Sequence, residues 1–395
     1  MTSLRHAGFL AARSLLHHRV RSVLIVIAVA ISVGLPLVVR SLVDRGTGAM
    51  LARGRSTPLI IGARGSELDL VVAALYGSGS TPRPIAMSEF DRINAKTKGT
   101  SIPLHLGLTA RKQPVFGTTL DYITRRELRF ASGRSFATIG ECVVGARAAS
   151  SLDLTAGGTL VTDATDPYNL AGTIPLRLHV VGTLAATGTP DDDAILVDIK
   201  TAWIIAGLGH GHRKAETISD PNDLVGKVDG HVIASERLHQ VEEITPESIA
   251  SFHFHGDPAS FPLHAILLWP VDEKEGTLLR GDFQRAEEPL QIVRPSEVME
   301  RLVREILRVR RLLDGLFAVI ALATAAIVAV VVALAIRLRR EELLTMVRLG
   351  AARGTVATII AMEVLFLALM SAALVALALL VSVPLRPLVE RLLVG

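Results

Sequence analysis

Arg337-Leu338-Arg339-Arg340-Glu341-Glu342-Leu343-Leu344-Thr345-Met346-Val347-Arg348-Leu349-Gly350-Ala351-Ala352-Arg353-Gly354 lies between two long apolar runs. The run before it, residues 315–336, has no charged residue, and the run after it, residues 364–386, is free of charge until Arg386. Each is long enough to cross a hydrocarbon core of about 30 Å as a helix, which takes about 20 residues. The quoted segment is therefore a short loop held at one membrane face. It is rich in Arg, carries apolar residues at helical spacing and closes on Gly-Ala-Ala-Arg-Gly, which suits it to press on a partner protein. This pattern points to a membrane component rather than a soluble enzyme.

Composition agrees. Of 395 residues, 50% are hydrophobic and only 4% aromatic, and the mean hydropathy of +0.43 exceeds that of most soluble domains. A net charge of +4 gives no argument for nucleic acid, because the basic residues cluster beside apolar runs as membrane-flanking charges. Cys142 is the sole cysteine, so the fold does not rely on an internal disulfide.

A third apolar run, residues 22–39, lies between Arg21 and Arg40. It exceeds the apolar part of a signal peptide, about 7–15 residues, and no small-x-small cleavage site follows closely, so an uncleaved first span over residues 22–40 is expected. Residues 1–21 read as a cytoplasmic amphipathic helix, with Leu4, Phe9, Leu10, Leu15 and Leu16 among Arg and His. Residues 41–296 read as a large extracytoplasmic α+β domain. Strand-like runs include Leu59-Ile60-Ile61, Val115-Phe116-Gly117, Glu141-Cys142-Val143-Val144, Leu176-Arg177-Leu178-His179-Val180-Val181 and Ala194-Ile195-Leu196-Val197. Helical stretches are expected at residues 68–75, 87–93 and 146–152. Ser296 suits an N-cap, and Val298, Leu302, Ile306, Val309 and Leu313 follow at helical spacing. A stalk helix is thus expected over residues 297–314, running into a second span at 315–336. The coupling loop or helix takes residues 337–354, the third span 355–385 and a tail 386–395. The four Arg before the first span and the five in the short loop place both in the cytoplasm.

The string Arg339-Arg340-Glu341-Glu342-Leu343-Leu344-Thr345-Met346-Val347-Arg348-Leu349-Gly350-Ala351, followed by a span bearing Glu363, resembles the C-terminal core of MacB/FtsX-type ABC transporter permeases. In the soluble region, Val143-Val144-Gly145-Ala146 through Leu152-Asp153-Leu154-Thr155-Ala156-Gly157-Gly158 is similar to the MacB-like periplasmic core, as is Gly182-Thr183-Leu184 through Thr187-Gly188-Thr189-Pro190-Asp191-Asp192. The resemblance implies a multi-pass protein of the bacterial inner membrane, a homodimer working by mechanotransmission. A separate ABC ATPase subunit, carrying ATP and Mg, would close, and its motion would pass through the spans to the external domain for export or extraction of a hydrophobic or envelope substrate. A periplasmic adaptor or outer-membrane partner and contact with membrane lipid are also implied. Such permeases usually have four spans. Here residues 389–395 are too short for a fourth, so the expectation is a three-span variant, a truncated product or a helix supplied elsewhere.

No Gly-x-x-x-x-Gly-Lys-Ser/Thr loop occurs in the chain, so ATP is not expected to bind here by that route, nor does any hydrolytic motif point to an enzyme. Arg339, Arg340, Glu341, Glu342, Arg348 and Arg353 are the expected ATPase-coupling residues; the alternative is that they only hold the loop at lipid headgroups. Glu363 is the one acid inside a span and is expected to make a structural polar contact or to snorkel, a proton relay needing a second group. His210, His212, His253 and His255 form two His-x-His pairs able to hold a transition metal, with Asp191, Asp192 and Asp193 as possible oxygen ligands; an exposed polar loop is the alternative. Two further functions fit the residues: an FtsX-like regulator of an extracytoplasmic enzyme, and a metal-linked transport component.

Overall fold

A computed structural model of the chain describes residues 4–164, 175–211, 224–228, 231–234, 241–283, 288–349 and 351–381. The chain opens with α1 (Leu4–His17), α2 (Arg19–Arg55), β1 (Leu59–Ala63), α3 (Glu67–Tyr76), β2 (Ile85–Ala86), α4 (Met87–Lys96), β3 (Thr100–Ala110) and β4 (Gln113–Thr118). It continues through α5 (Leu120–Arg125), β5 (Phe130–Gly133), β6 (Glu141–Val144), α6 (Ala146–Leu152), β7 (Thr159–Val161), β8 (Leu176–Leu184), β9 (Ile195–Asp198) and α7 (Ile199–Ile205). Then come β10 (Gly209–Gly211), β11 (Leu224–Val228), β12 (His231–Ala234), β13 (Glu242–Glu243), β14 (Phe252–Phe254), β15 (Pro262–Leu263), β16 (Ala265–Trp269) and α8 (Glu273–Asp282). The last elements are β17 (Leu290–Val293), α9 (Pro295–Leu338), α10 (Arg340–Arg348) and α11 (Arg353–Val381). The described residues form two compact units, one within residues 49–301 and the other made of residues 4–48 with 302–381.

The unit of residues 49–301 is built on a mixed eleven-stranded sheet in the order β13-β8-β6-β9-β4-β3-β16-β1-β17, with β5 and β7 also paired to β8. The pairs β4–β9, β6–β8 and β8–β13 are parallel. The expected strands all form, because their runs of Val, Ile and Leu suit a pleated, buried surface. Ile60, Ile61, Val143, Val144, Leu176, Leu178, Ile195 and Val197 are wholly buried. Two cores result. One gathers Val115, Val144, Leu178, Val180, Ile195 and Ala202; the other gathers Leu59, Ile61, Trp203, Phe261, Leu263 and Leu268. Helix α3 starts where Ser66 Oγ accepts from the Asp69 N–H at 3.2 Å and stops at Gly77, whose φ of 64° is left-handed. Helix α4 extends to Lys96, past the expected end at residue 93.

In the other unit, α1, α11 and parts of α2 and α9 pack around Leu15, Ile25, Val26 and Leu367, with Val29, Val328, Val331 and Phe366 against them. Small and hydroxylated residues allow close approach between such helices. A Cβ on Gly34 would stand 3.2 Å from Val375 Cγ2, and Ser32 Oγ meets Thr324 Oγ1 at 2.7 Å. Leu316, Val319, Leu322, Val330 and Leu334 on α9 are exposed, a surface matched to hydrocarbon. Among the described residues, Arg19–Arg55, Pro295–Leu338 and Gly354–Val381 are long and apolar enough to cross a membrane.

Three boundaries differ from expectation. Helix α2 does not end at residue 40 but runs to Arg55, since no helix-breaking pair follows Arg40, and the sheet unit begins at Ala49 rather than 41. Ser296 is not the N-cap of α9. Pro295 is the first helical residue, a position where its missing N–H costs nothing, and the N–H groups of Glu297 and Val298 donate to the Arg294 carbonyl at 3.1 and 3.3 Å. The third apolar helix is described to Val381; the rest of the expected span and the tail at 386–395 lie outside the described residues.

Candidate functional site

Helix α10 is the quoted basic segment in folded form. Glu341 and Glu342 sit in its first turn and Arg348 in its last, so its charges complement the helix dipole. Leu343 and Val347, four residues apart, are its half-buried positions, and it packs on α11. The rest of its surface is open. Arg340, Glu341, Glu342 and Arg348 are exposed, as are Leu344, Met346 and Leu349. The open face of α10 thus mixes charged side chains with Leu and Met.

Arg339 lies at the bend between α9 and α10 and differs from its neighbours. Its side chain is 20% exposed. Its Nη1 donates to Glu363 Oε1 at 3.1 Å and to Ser14 Oγ at 2.9 Å. Its Nε lies 3.4 Å from Glu342 Oε2. One guanidinium thus fastens α1, α10 and α11 together, and Glu363, 12% exposed, is its counter-charge. The fork geometry of Arg, with five donors, suits such a junction better than Lys would. Arg353 begins α11.

The histidine pairs occupy the sheet unit. Strands β10 and β14 pair antiparallel, with His210 opposite His253, and the His255 N–H donates to the Leu208 carbonyl at 3.1 Å. The sequence Phe252-His253-Phe254-His255 alternates as a strand should. Phe252 and Phe254 pack on the core, and Phe254 meets Trp203 edge-on at 6.3 Å. The glycines make room: a Cβ on Gly209 would lie 2.8 Å from the Phe254 ring, and one on Gly211 2.6 Å from Phe252. The imidazoles of His210, His253 and His255 gather instead at centroid separations of 5.0, 4.7 and 4.7 Å. One ligand nitrogen from each lies within 4.8 Å of the others. His212 lies outside the described residues.

Asp191, Asp192 and Asp193 are not available as oxygen ligands beside these histidines, because each is engaged elsewhere. Asp192 accepts from Thr187 and Gly188, and Asp193 pairs with Arg147 at 2.6 Å. Asp191 is wholly buried and accepts from Arg53 Nη1 and Nη2 at 2.6 and 2.8 Å and from Tyr122 Oη at 2.6 Å. Arg53 Nε donates to the Leu75 carbonyl at 3.1 Å. Burial pushes the Asp191 carboxyl up, but the Arg53 charge and the hydrogen bonds to Arg53 and Tyr122 bring it to about 2. Burial and the Asp191 charge push Tyr122 up to about 12. This node was not legible in the sequence, where Arg53 reads as one of several charges following an apolar run.

No protein-family model matches the chain, and no curated protein matches it. Among solved structures, the chain is similar to the periplasmic region of MacB from Actinobacillus actinomycetemcomitans, at 10% identity and a TM-score of 0.35 over 63% of this chain and 94% of that one. It is also similar to the extracellular domain of the noncanonic ABC-type transporter YknZ from Gram-positive bacteria, at 10% identity and a TM-score of 0.32 over 60% of this chain and 98% of that one.

Proposed function

We propose that the chain is the permease-like membrane subunit of an ABC assembly, in which a separate ATPase docks on α10 and its closure is passed along α9 to the extracytoplasmic sheet unit. The observation that supports this most is α10 itself. It is a short amphipathic helix, held between two apolar helices, with one edge packed on α11 and a face of Arg340, Glu341, Glu342, Leu344, Met346 and Arg348 left open. The ATPase would contact that face. Arg339 would act one step back, keeping α10 braced on α1 and α11 through Ser14 and Glu363, so that a push on α10 moves the bundle and is not absorbed by the bend. Helix α9 suits the transmitting part because it is unbroken over 44 residues, about 66 Å at 1.5 Å per residue. The working form would be a homodimer with two ATPase subunits in the inner membrane, acting on a hydrophobic or envelope substrate outside it.

The test is co-purification of the full chain in detergent with candidate ABC ATPases. Wild type is expected to hold its ATPase through purification. The variant Arg340→Ala/Leu344→Ala/Arg348→Ala is expected to lose it while unfolding at the wild-type temperature. An exposed-face variant that binds as wild type does, or a wild-type chain that binds no candidate, would overturn the reading.

A further inference from the structure

We propose that His210, His253 and His255 form a binding site for a divalent transition-metal ion of the zinc class, on the solvent face of the β10–β14 pair. The inference is independent of the ABC reading and uses only the geometry of the sheet unit.

The three residues come from two separate parts of the chain and converge because β10 and β14 pair in one register, His210 against His253. The period of two then puts His255 on the same side as His253. The opposite side is occupied by Phe252 and Phe254, which are anchored in the core. The aromatic residues fix the orientation of the strand, so the imidazoles cannot rotate inward without exposing two phenyl rings. A solvated strand face needs only polar residues. Three imidazoles with nitrogens within 4.8 Å of one another are a more specific arrangement.

Coordination distances are within reach. Zinc–nitrogen bonds of about 2.0–2.1 Å in a tetrahedron place ligand nitrogens about 3.4 Å apart. The present nitrogens need to close by at most about 1.5 Å, which small side-chain rotations supply at exposed His210 and His255. One ligand is already oriented from behind. His253 Nδ1 lies 3.2 Å from the Ser251 carbonyl. A carbonyl only accepts, so Nδ1 is the donor in this contact and Nε2 is the nitrogen left to face an ion. A backbone carbonyl holding the far nitrogen is the usual outer support of a metal-binding histidine. Imidazole donors select zinc, copper, nickel or iron over magnesium or calcium. Three histidines leave a fourth tetrahedral position for water or a ligand. A bound ion would clasp the chain at His210 to the chain at His253 and His255.

The test uses the full chain in detergent, purified on a tag without histidines, stripped with chelator and dialysed against zinc. Metal per chain is read by mass spectrometry, and cobalt(II) is added to a second sample as a spectroscopic probe. Wild type is expected to retain about one zinc equivalent and to give the intense visible bands of tetrahedral cobalt. The variant His210→Ala/His253→Ala/His255→Ala is expected to lose both. Because these side chains lie on the solvent face, its thermal unfolding without metal should match that of wild type. The single variant His255→Gln, which keeps size and polarity, should also lose the equivalent and guards against a folding defect in the triple variant. Equal retention by wild type and the triple variant would mean that other histidines hold the metal and would overturn the site, as would no retention by wild type.

Discussion

Asp191→Ala should be among the most destabilising single changes in the sheet unit. The carboxylate is 2% exposed and its partner Arg53 is 5% exposed. Removing it deprives Arg53 of two hydrogen bonds and its counter-charge and leaves the Tyr122 hydroxyl without an acceptor. A second cation, Arg126, stacks over the Tyr122 ring at 5.4 Å and interacts with Arg53, so the orphaned guanidinium would face a like charge as well. Breaking a buried pair in this way costs about 3–5 kcal/mol. For a unit of this size each kcal/mol lowers the midpoint by about 2–4 °C, which gives a drop of about 10 °C. The protonation side of the same interaction is smaller. The Asp191 carboxyl is held at about 2 against about 3.9 in an unfolded chain, which corresponds to about 2–3 kcal/mol. A depressed folded value means that this stabilisation is present above pH 4 and is lost as pH falls through about 2. Deletion costs more than protonation because it adds the penalty of a buried, unpaired Arg. The double variant Arg53→Met/Asp191→Leu removes both charges and should recover much of the loss. Thermal unfolding of the full chain in detergent can be followed through the two tryptophans, Trp203 and Trp269, which both lie in this unit. If Asp191→Ala costs under about 1 kcal/mol, or the double variant is no better than the worse single one, the pair is not the tie inferred here.

The buried imidazoles make a second, separable prediction. His105 and His264 meet edge-on at 4.6 Å, and His264 Nδ1 accepts from the Leu106 N–H, so the His264 ring is neutral. Burial, and then the neighbouring His264, lower His105 to about 3; burial lowers His264 to about 4. Depressed values for bases mean stability that is complete above about pH 6.5 and falls below it, by up to about 1.4 kcal/mol per pH unit for each ring. Urea midpoints between pH 7 and 4.5 should show this slope, and His105→Leu should flatten it; a slope unchanged by that variant would refute the assignment. Burial pushes the Cys142 thiol up, so maleimide should label the native chain far more slowly than the urea-unfolded chain, and rapid native labelling would place Cys142 outside the core.

What the sequence disclosed and what it hid follow from the range over which each signal acts. Strands and helices of the sheet unit were legible because their signals are local. Val143 and Val144 lie beside Gly145, and Ser66 precedes Leu68 at a capping distance. The apolar runs were legible for the same reason, but their ends were not. Arg40 marks where charge returns, while the α2 backbone has no reason to stop there and continues to Arg55. The buried ion pairs depended on partners far along the chain. Arg53 meets Asp191 across 138 positions, and no property of either residue alone distinguishes it from a solvated charge. The basic segment at residues 337–354 shows the consequence most clearly. Composition groups Arg339 with Arg340 and Arg348, since all three are basic and lie in one loop. The fold separates them, because a bend at residue 339 turns one guanidinium inward to Glu363 and Ser14 and leaves the others outside. Glu363 of the third apolar helix and Arg339 are therefore one interaction, and replacing Arg339 tests the bundle's integrity, whereas replacing Arg340 and Arg348 tests the docking proposed above.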